Sequence, residues 1–368
     1  MNTNRTEPIL ATYLHEKGSR LGLPISGTFE LTSRCNFSCP MCYVHSSEDD
    51  MNKKSAELST EKWISVVRSA VESGMMFALI TGGEPFLRQD FFDIYGEMKK
   101  TGVMVSINTN GSLIKGEVLR KLINNPPFRV NISLYGASRK TYSEMCRNDA
   151  FDDVINAVKA LKEAGIDTRL NLSLTPFNQQ DIKGIFEIAK ELGVHIKFNS
   201  YMYPAVRSNN CGENCRFDPY KAAYFSTIWD SLRLTDGDFD RRCRNIADIV
   251  SAGNEGCVVE SEEILRCRAG RSSFWITFDG KLLPCGMMKT PRIDLTEASF
   301  NEAWETIKEE SKKLTVPSEC AECKKRNICN VCPAVCVAET GSFVDVPEYM
   351  CKYTDELMRL AGEHLMKG

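Results

Sequence analysis

Apolar and polar positions along the first two thirds of the chain form a repeating order of short alternating runs and longer helical stripes. Ile9, Leu10, Tyr13 and Leu14 fall at helical spacing within residues 6–23, which predicts a capping helix. The alternating run Thr28-Phe29-Glu30-Leu31-Thr32 reads as the core of a first strand over 27–33. Helical stripes follow at 59–71 (Trp63, Ile64, Val67, Val71), 91–98, 117–123, 151–164 (Val154, Ile155, Val158, Leu161), 181–192 (Ile182, Ile185, Phe186, Ala189) and 220–232. Strand-like runs lie between them at 77–81, 104–109, 129–135, 168–174 and 195–201. Gly165 and Gly193 stop two of the helices, since glycine takes the left-handed helix end without strain. Six alternations of strand and helix imply an α/β fold with a parallel sheet and right-handed crossovers. A partial (β/α)6 barrel fits better than an open doubly wound sheet. The turns richest in chemistry all follow strands, and barrel active sites lie at the C-terminal ends of strands.

From 235 to 266 the periodicity fades, as suits a bridge between domains. The expected organisation is a capping segment 1–26, a barrel 27–234, a bridge 235–266, a smaller cysteine-rich domain 267–352 and a terminal helix 353–368. A chain of 368 residues is long enough for such a pair of domains with an ample core. A net charge of −3 with 26% charged residues suggests neither a nucleic-acid nor a membrane-surface partner. Met1-Asn2-Thr3-Asn4-Arg5 leads into no apolar run of signal-peptide type, and no stretch approaches membrane-spanning length, so a cytoplasmic location is expected. In that reducing compartment the 16 cysteines point to metal ligation rather than disulfides.

The sharpest chemistry sits directly after the first strand, in Cys35-Asn36-Phe37-Ser38-Cys39-Pro40-Met41-Cys42-Tyr43. Spacing of C-x3-C-x2-C lets three soft thiolates converge on one centre, which selects zinc, Cu(I) or an iron–sulfur cluster. Three ligands are one short of a closed tetrahedral zinc set, and only His45 lies nearby. A four-iron cluster held this way keeps one iron open. The rival readings are a zinc site and three buried structural cysteines.

This triplet followed by Tyr43 resembles the signature of the radical SAM superfamily. The resemblance implies a [4Fe-4S] cluster on Cys35, Cys39 and Cys42 whose open iron chelates the amino and carboxylate groups of S-adenosylmethionine. It further implies reductive cleavage to methionine and a 5′-deoxyadenosyl radical that abstracts a substrate hydrogen. Cluster potentials span about −700 to +450 mV, and this chemistry needs the low end. Gly82, Gly83 and Glu84 after the second strand match the superfamily's GGE motif, which resembles a clamp on the SAM amino group. Asn110 after the third strand and Ser133 in the fourth match SAM-pocket positions, and Tyr43 by analogy sits against the adenine. Arg139 and Arg147 are the candidates for the carboxylate contact, and the spacing decides for neither.

The C-terminal cysteines resemble the SPASM extension of the same superfamily, which houses two auxiliary [4Fe-4S] clusters. Family practice puts Cys320, Cys323, Cys329 and Cys351 on the outer one. The inner one takes Cys267, Cys285 and a cysteine from the pair Cys332 and Cys336, with Cys257 standing as a candidate fourth. Two zinc knuckles are the rival here, because C-x2-C occurs at Cys320/Cys323 and at Cys329/Cys332. Cys211, Cys215 and Cys243 stay unassigned. The extension implies modification of a ribosomally made peptide or protein side chain as the first expectation. A dehydrogenase or ligase of a small molecule is the alternative within enzymes, and a non-catalytic zinc or iron–sulfur interaction protein the alternative outside them. Gly286 stands where sulfatase-maturing relatives carry an aspartate base, which lowers that reading. Only 34 residues precede Cys35, so leader recognition is expected to rest on the barrel or on a separate protein. The implied electron donor is a flavodoxin or ferredoxin.

Overall fold

The computed structural model describes residues 9–204, 215–251 and 267–367. Strands β1 (Ser26–Glu30), β2 (Phe77–Thr81), β3 (Met104–Thr109), β4 (Arg129–Ser133), β5 (Thr168–Ser173) and β6 (His195–Asn199) pair in chain order, all parallel. Strand β6 ends one edge of the sheet rather than closing onto β1, so the barrel is partial, as the strand–helix alternation implies.

Along β3, β4 and β5 every second side chain is buried: Val105 and Ile107, Val130 and Ile132, Leu170 and Leu172. These pack with helix residues such as Trp63, Val67, Ile94, Val154, Leu161 and Ile185 into one continuous core. Because side chains alternate across a strand, the opposite face carries Asn108, Asn131, Ser133, Asn171 and Ser173. The concave side of the sheet is therefore polar. Asn131 Nδ2 donates to Asn108 Oδ1 across it at 2.9 Å. Caps set the helix bounds. Ser59 accepts from the Lys62 N–H to open Thr60–Glu72, and Gly193, at φ +61°, ends Ile182–Leu192.

The cysteine-rich part begins inside the barrel's own sheet. Strand β7 (Ser273–Ile276) pairs parallel with β1, from Ser26 opposite Ser273 to Phe29 opposite Ile276. It turns back antiparallel into β8 (Lys281–Leu283), which pairs with β9 (Ile293–Asp294), giving a nine-stranded sheet. Phe274 meets Phe29 edge-on at 5.8 Å and Phe300 at 5.1 Å, so helix Phe300–Lys312 covers the join.

Several elements differ from the sequence expectation, among them three helices. Residues 235–251, where the apolar pattern is weak, contain helix Asp236–Ser251. Its apolar residues are spaced by acids and arginines, and it seats only a narrow stripe (Phe239, Cys243, Ile246) against Ala361 and Leu365. The terminal helix runs Glu348–Lys367 and so includes Cys351. A helix at Arg139–Cys146, opened by Ser138, was not foreseen, because its run RKTYSEMC is too short to show a stripe. Among the described residues no helix is long and apolar enough to cross a membrane.

Candidate active site

The loop carrying Cys35, Cys39 and Cys42 is fixed by the turns that end β2 and β3. Gly83 N–H donates to the Thr32 carbonyl at 2.7 Å and Glu84 N–H to the Arg34 carbonyl at 2.8 Å. A Cβ on Gly82 would lie 2.4 Å from the Thr32 oxygen and one on Gly83 2.1 Å from the Arg34 oxygen, so both positions need glycine for the approach of the cysteine loop. Glu84 is fully buried. Its carboxylate accepts from the Asn110 N–H at 2.8 Å, from the Thr109 hydroxyl at 2.8 and 2.9 Å and from the Phe86 N–H at 3.2 Å. Burial raises the Glu84 carboxyl to about 7, against the pull of those donors. The held turn then presents Asn110, whose Nδ2 reaches Asn36 Oδ1 at 2.8 Å and lies 3.8 Å from Cys35 Sγ. From the other side Ser38 N–H donates to the Cys146 carbonyl at 3.2 Å and Asn148 Nδ2 to the Asn36 carbonyl at 3.1 Å. Arg147 between them is left-handed, at φ +52°.

The three thiols open on a cavity of about 410 Å³ at the C-terminal ends of the strands. Tyr43, Gly82, Gly83, Asn110 and Ser133 line it, while Glu84 lies beneath the wall. Sequence reading missed Asn108, Asn171, Ser173, Lys197 and Asn199, which line the same cavity from β3, β5 and β6. The signal was available: each is a polar residue in phase with the others on the concave face, near a strand's C-terminal end. Arg139 is paired with Asp149 and Asp152 at the surface, whereas Arg147 lies close enough to lower the Cys39 thiol electrostatically. Burial pushes Cys42 up to about 11 and Cys35 higher still; a hydrogen bond with the Cys146 side chain, then burial, raises Cys39. Metal binding here therefore releases protons. The donors fit a cluster's sulfurs: Phe37 N–H points at Cys35 Sγ from 3.4 Å, and the backbone at Val44 and His45 bonds Cys42.

The family model described as the Radical SAM superfamily matches residues 29–189, the span that supplies β1 to β5 and the whole cysteine loop. The barrel is a radical SAM domain. Similarity beyond that domain runs nearly end to end with AdoMet-dependent heme synthases. That of Methanosarcina barkeri is 25% identical over 88% of this chain and 95% of its own length. A probable GTP 3′,8-cyclase of Saccharolobus islandicus is 34% identical over 48% of this chain and 56% of its own. Among solved structures, Streptococcus suis SuiB superposes with a TM-score of 0.68 at 17% identity, covering 92% of this chain and 81% of its own. The structure of anSMEcpe with bound AdoMet gives 0.68 at 20% identity, covering 94% and 98%. At these identities the likeness to SuiB and anSMEcpe is one of fold.

Beside the radical SAM domain the remaining cysteines separate into two neighbourhoods. Cys320, Cys323, Cys329 and Cys351 lie near one another, with Lys325 beside Cys323 and Cys351. Cys267, Cys285 and Cys332 gather around Tyr203. Cys336 is fully buried among Val316, Val331 and Cys320, on the side of the first group. Cys257 and Cys211 lie outside the described residues. Cys215 packs with Met41 and Met145, and Cys243 with Ile246 and Ala361. Among the described residues no three His, Cys, Asp or Glu side chains converge tightly enough to hold a single metal ion. A second cavity of about 410 Å³ lies across Val44 from the first, between the cysteine loop and the β7–β8 hairpin. Its walls carry Lys53, Lys281, Lys289 and Arg292 against Glu30 and Asp279. Lys281 is already paired with Asp294, so Lys53, Lys289 and Arg292 against Glu30 and Asp279 leave the lining with a slight positive excess.

Proposed function

We propose that this chain is a radical SAM oxidoreductase that takes a hydrogen atom from a carboxylate-bearing substrate. The observation that carries the reading is the convergence of Cys35, Cys39 and Cys42 on a polar cavity built from strand ends, inside a radical SAM domain. Cys35, Cys39 and Cys42 would hold a [4Fe-4S] cluster, which when bound and reduced would supply the electron for reductive cleavage of S-adenosylmethionine.

The residues of the chain then have distinct tasks. Gly82 and Gly83 bring the β2 turn against the cysteine loop, and Glu84 fixes the turn that carries Asn110. Ser133 and Arg147 are assigned to the SAM carboxylate and Tyr43 to the adenine. Arg147 is preferred to Arg139 because Arg139 is already paired with two aspartates. Cys320, Cys323, Cys329 and Cys351 are assigned to an outer auxiliary [4Fe-4S] cluster. Cys267, Cys285 and Cys332 are assigned to an inner one, with Cys336 left to the packing. The reductant is assigned to the flavodoxin or ferredoxin class.

For the substrate, end-to-end similarity to heme synthases moves a small molecule ahead of the peptide that the sequence alone favoured. The cationic cavity beside Val44 supports carboxylate groups on it. A peptide is the second reading, supported by a fold shared with SuiB, whose structure was also solved with its precursor peptide. The test is anaerobic reconstitution, reduction and addition of SAM, with 5′-deoxyadenosine and methionine measured. Absence of both products from iron-replete protein overturns the enzyme reading. Stimulation by carboxylate-bearing small molecules, or instead by a peptide encoded next to the gene, decides between the two substrates.

A further inference from the structure

The register of β4, β5 and β6 sets Ser133, Asn171 and Lys197 in one row across the concave face, and Ser173 with Asn199 in the next. All five line the first cavity. Alternation fixes the direction of the last strand. Phe198 turns the other way and stacks on Trp229 of helix Pro219–Arg233 at 4.6 Å, so Lys197 and Asn199 rise from the cavity side. Most of this polar face is already engaged. Asn108 accepts from the Asn131 amide, and Ser133 accepts from the Tyr135 hydroxyl at 3.2 Å. Asn199 closes a turn on Tyr201, its Nδ2 donating to the carbonyl at 2.7 Å and its Oδ1 accepting from the N–H at 3.2 Å. Among the described residues the side chains of Asn171, Ser173 and Lys197 have no such partner. Thiols apart, Lys197 is also the one charged side chain among the described residues that line the cavity. It is exposed, so a ligand can reach it. A lone cation above neutral amides, hydroxyls and aromatic rings draws an anion, and a bond from an ammonium to a carboxylate is stronger than one between neutral groups. Neighbouring strands lie about 4.8 Å apart, which puts Lys197 about 10 Å along the row from Ser133. An anion held there is therefore separate from the carboxylate of SAM, which is assigned to Ser133 and Arg147.

We propose that Lys197, with the Asn171 amide beside it, is a specificity-determining residue that holds one carboxylate of the substrate inside the first cavity. The inference rests on the reading of the substrate as a carboxylate-bearing molecule, and deepens it. The ammonium supplies the charge and Asn171 a directed N–H, so the anion is held by two donors on adjacent strands. The rest of the substrate then extends back along the row toward the SAM end. Anchoring one end in this way fixes which hydrogen is presented for abstraction.

The experiment uses the full chain, reconstituted without oxygen and loaded with SAM, as wild type, Lys197→Met, Lys197→Arg and Lys289→Met. Each is titrated calorimetrically with benzene-1,3,5-tricarboxylate as the probe and with its uncharged triamide as the control. Wild type should bind the acid and not the triamide, and added salt should weaken the binding. Lys197→Met should weaken it about tenfold, the loss of one charge-assisted hydrogen bond, and Lys197→Arg should keep most of it. No binding of the acid by wild type, equal binding of the triamide, or an affinity untouched in Lys197→Met overturns the proposal. So does a loss confined to Lys289→Met, which would seat the carboxylate in the second cavity. SAM affinity is measured on the same proteins; a fall in Lys197→Met as large as the probe's would make the lysine a cofactor contact and also overturns it. In parallel, 5′-deoxyadenosine and methionine are measured from reduced wild type. Their absence overturns the enzyme reading while the titration still decides Lys197, so the two failures are told apart.

Discussion

Substituting Gly83 by Ala tests the claim that the Gly-Gly-Glu turn exists to receive the cysteine loop. The added Cβ would sit 2.1 Å from the Arg34 carbonyl oxygen and 2.7 Å from that of Ser33, both backbone atoms with no side-chain freedom to yield. Overpacking of this kind costs about 1–3 kcal/mol. The displacement also strains Gly83 N–H to Thr32 O and Glu84 N–H to Arg34 O, each worth about 1 kcal/mol. The expected loss is therefore about 3–5 kcal/mol. Gly102→Ala is the control. Its φ is +81° with nothing within 4 Å of the new Cβ, so only left-handed backbone strain of about 1–2 kcal/mol applies. Urea unfolding of the metal-free proteins gives both values from the midpoint and slope, and iron analysis after reconstitution gives cluster uptake. Gly83→Ala should lose more stability than Gly102→Ala and take up less iron at the first site. Equal stabilities with equal iron would refute the reasoning, since the turn would then tolerate a side chain where the loop is said to rest.

Replacing Cys35, Cys39 or Cys42 singly by Ala should remove about four irons per chain and drop 5′-deoxyadenosine formation to background, read by iron assay and chromatography. Arg147→Ala should weaken SAM binding about tenfold, the equivalent of one lost charge-assisted hydrogen bond. Arg139→Ala should leave it unchanged because an exposed pair contributes little; calorimetric titration separates them. Glu339→Gln should cost about 3 kcal/mol in thermal or urea unfolding, the low end for breaking a buried pair. Arg216 is only 17% exposed, is stacked 4.3 Å from the Tyr349 ring, and among the described residues pairs with no carboxylate other than Glu339.

Strands β3, β4 and β5 were legible because they obey a local rule: alternate residues of Met104–Thr109, Arg129–Ser133 and Thr168–Ser173 are buried, and most of those are apolar. The cysteine triplet and the Gly-Gly-Glu turn were legible for the same reason, being short patterns complete within themselves. What stayed hidden depends on residues far apart in sequence. Nothing near Ser273 announces that it will pair with Ser26, 247 residues earlier, because a strand of four residues carries too little alternation to count. Lys197 and Asn199 were passed over because polar residues on a strand ordinarily face water; here the sheet curves and they face a cavity. Spacing could not decide between Cys332 and Cys336. The helix Pro333–Thr340 sets Cys336 inward among Val316 and Val331 and leaves Cys332 beside Tyr203, the difference on which the proposed assignment rests.

The pairing of β7 with β1 bears on any attempt to trim the protein. A barrel cut off after residue 234 would strip one flank of Ser26–Phe29 and leave its N–H and C=O groups bare, next to Phe29 with its aromatic cover removed. A naked parallel border of that kind recruits another chain as readily as its own. The shortened protein should accumulate as self-associated material, and catalytic work on this chain is best begun with both halves kept together.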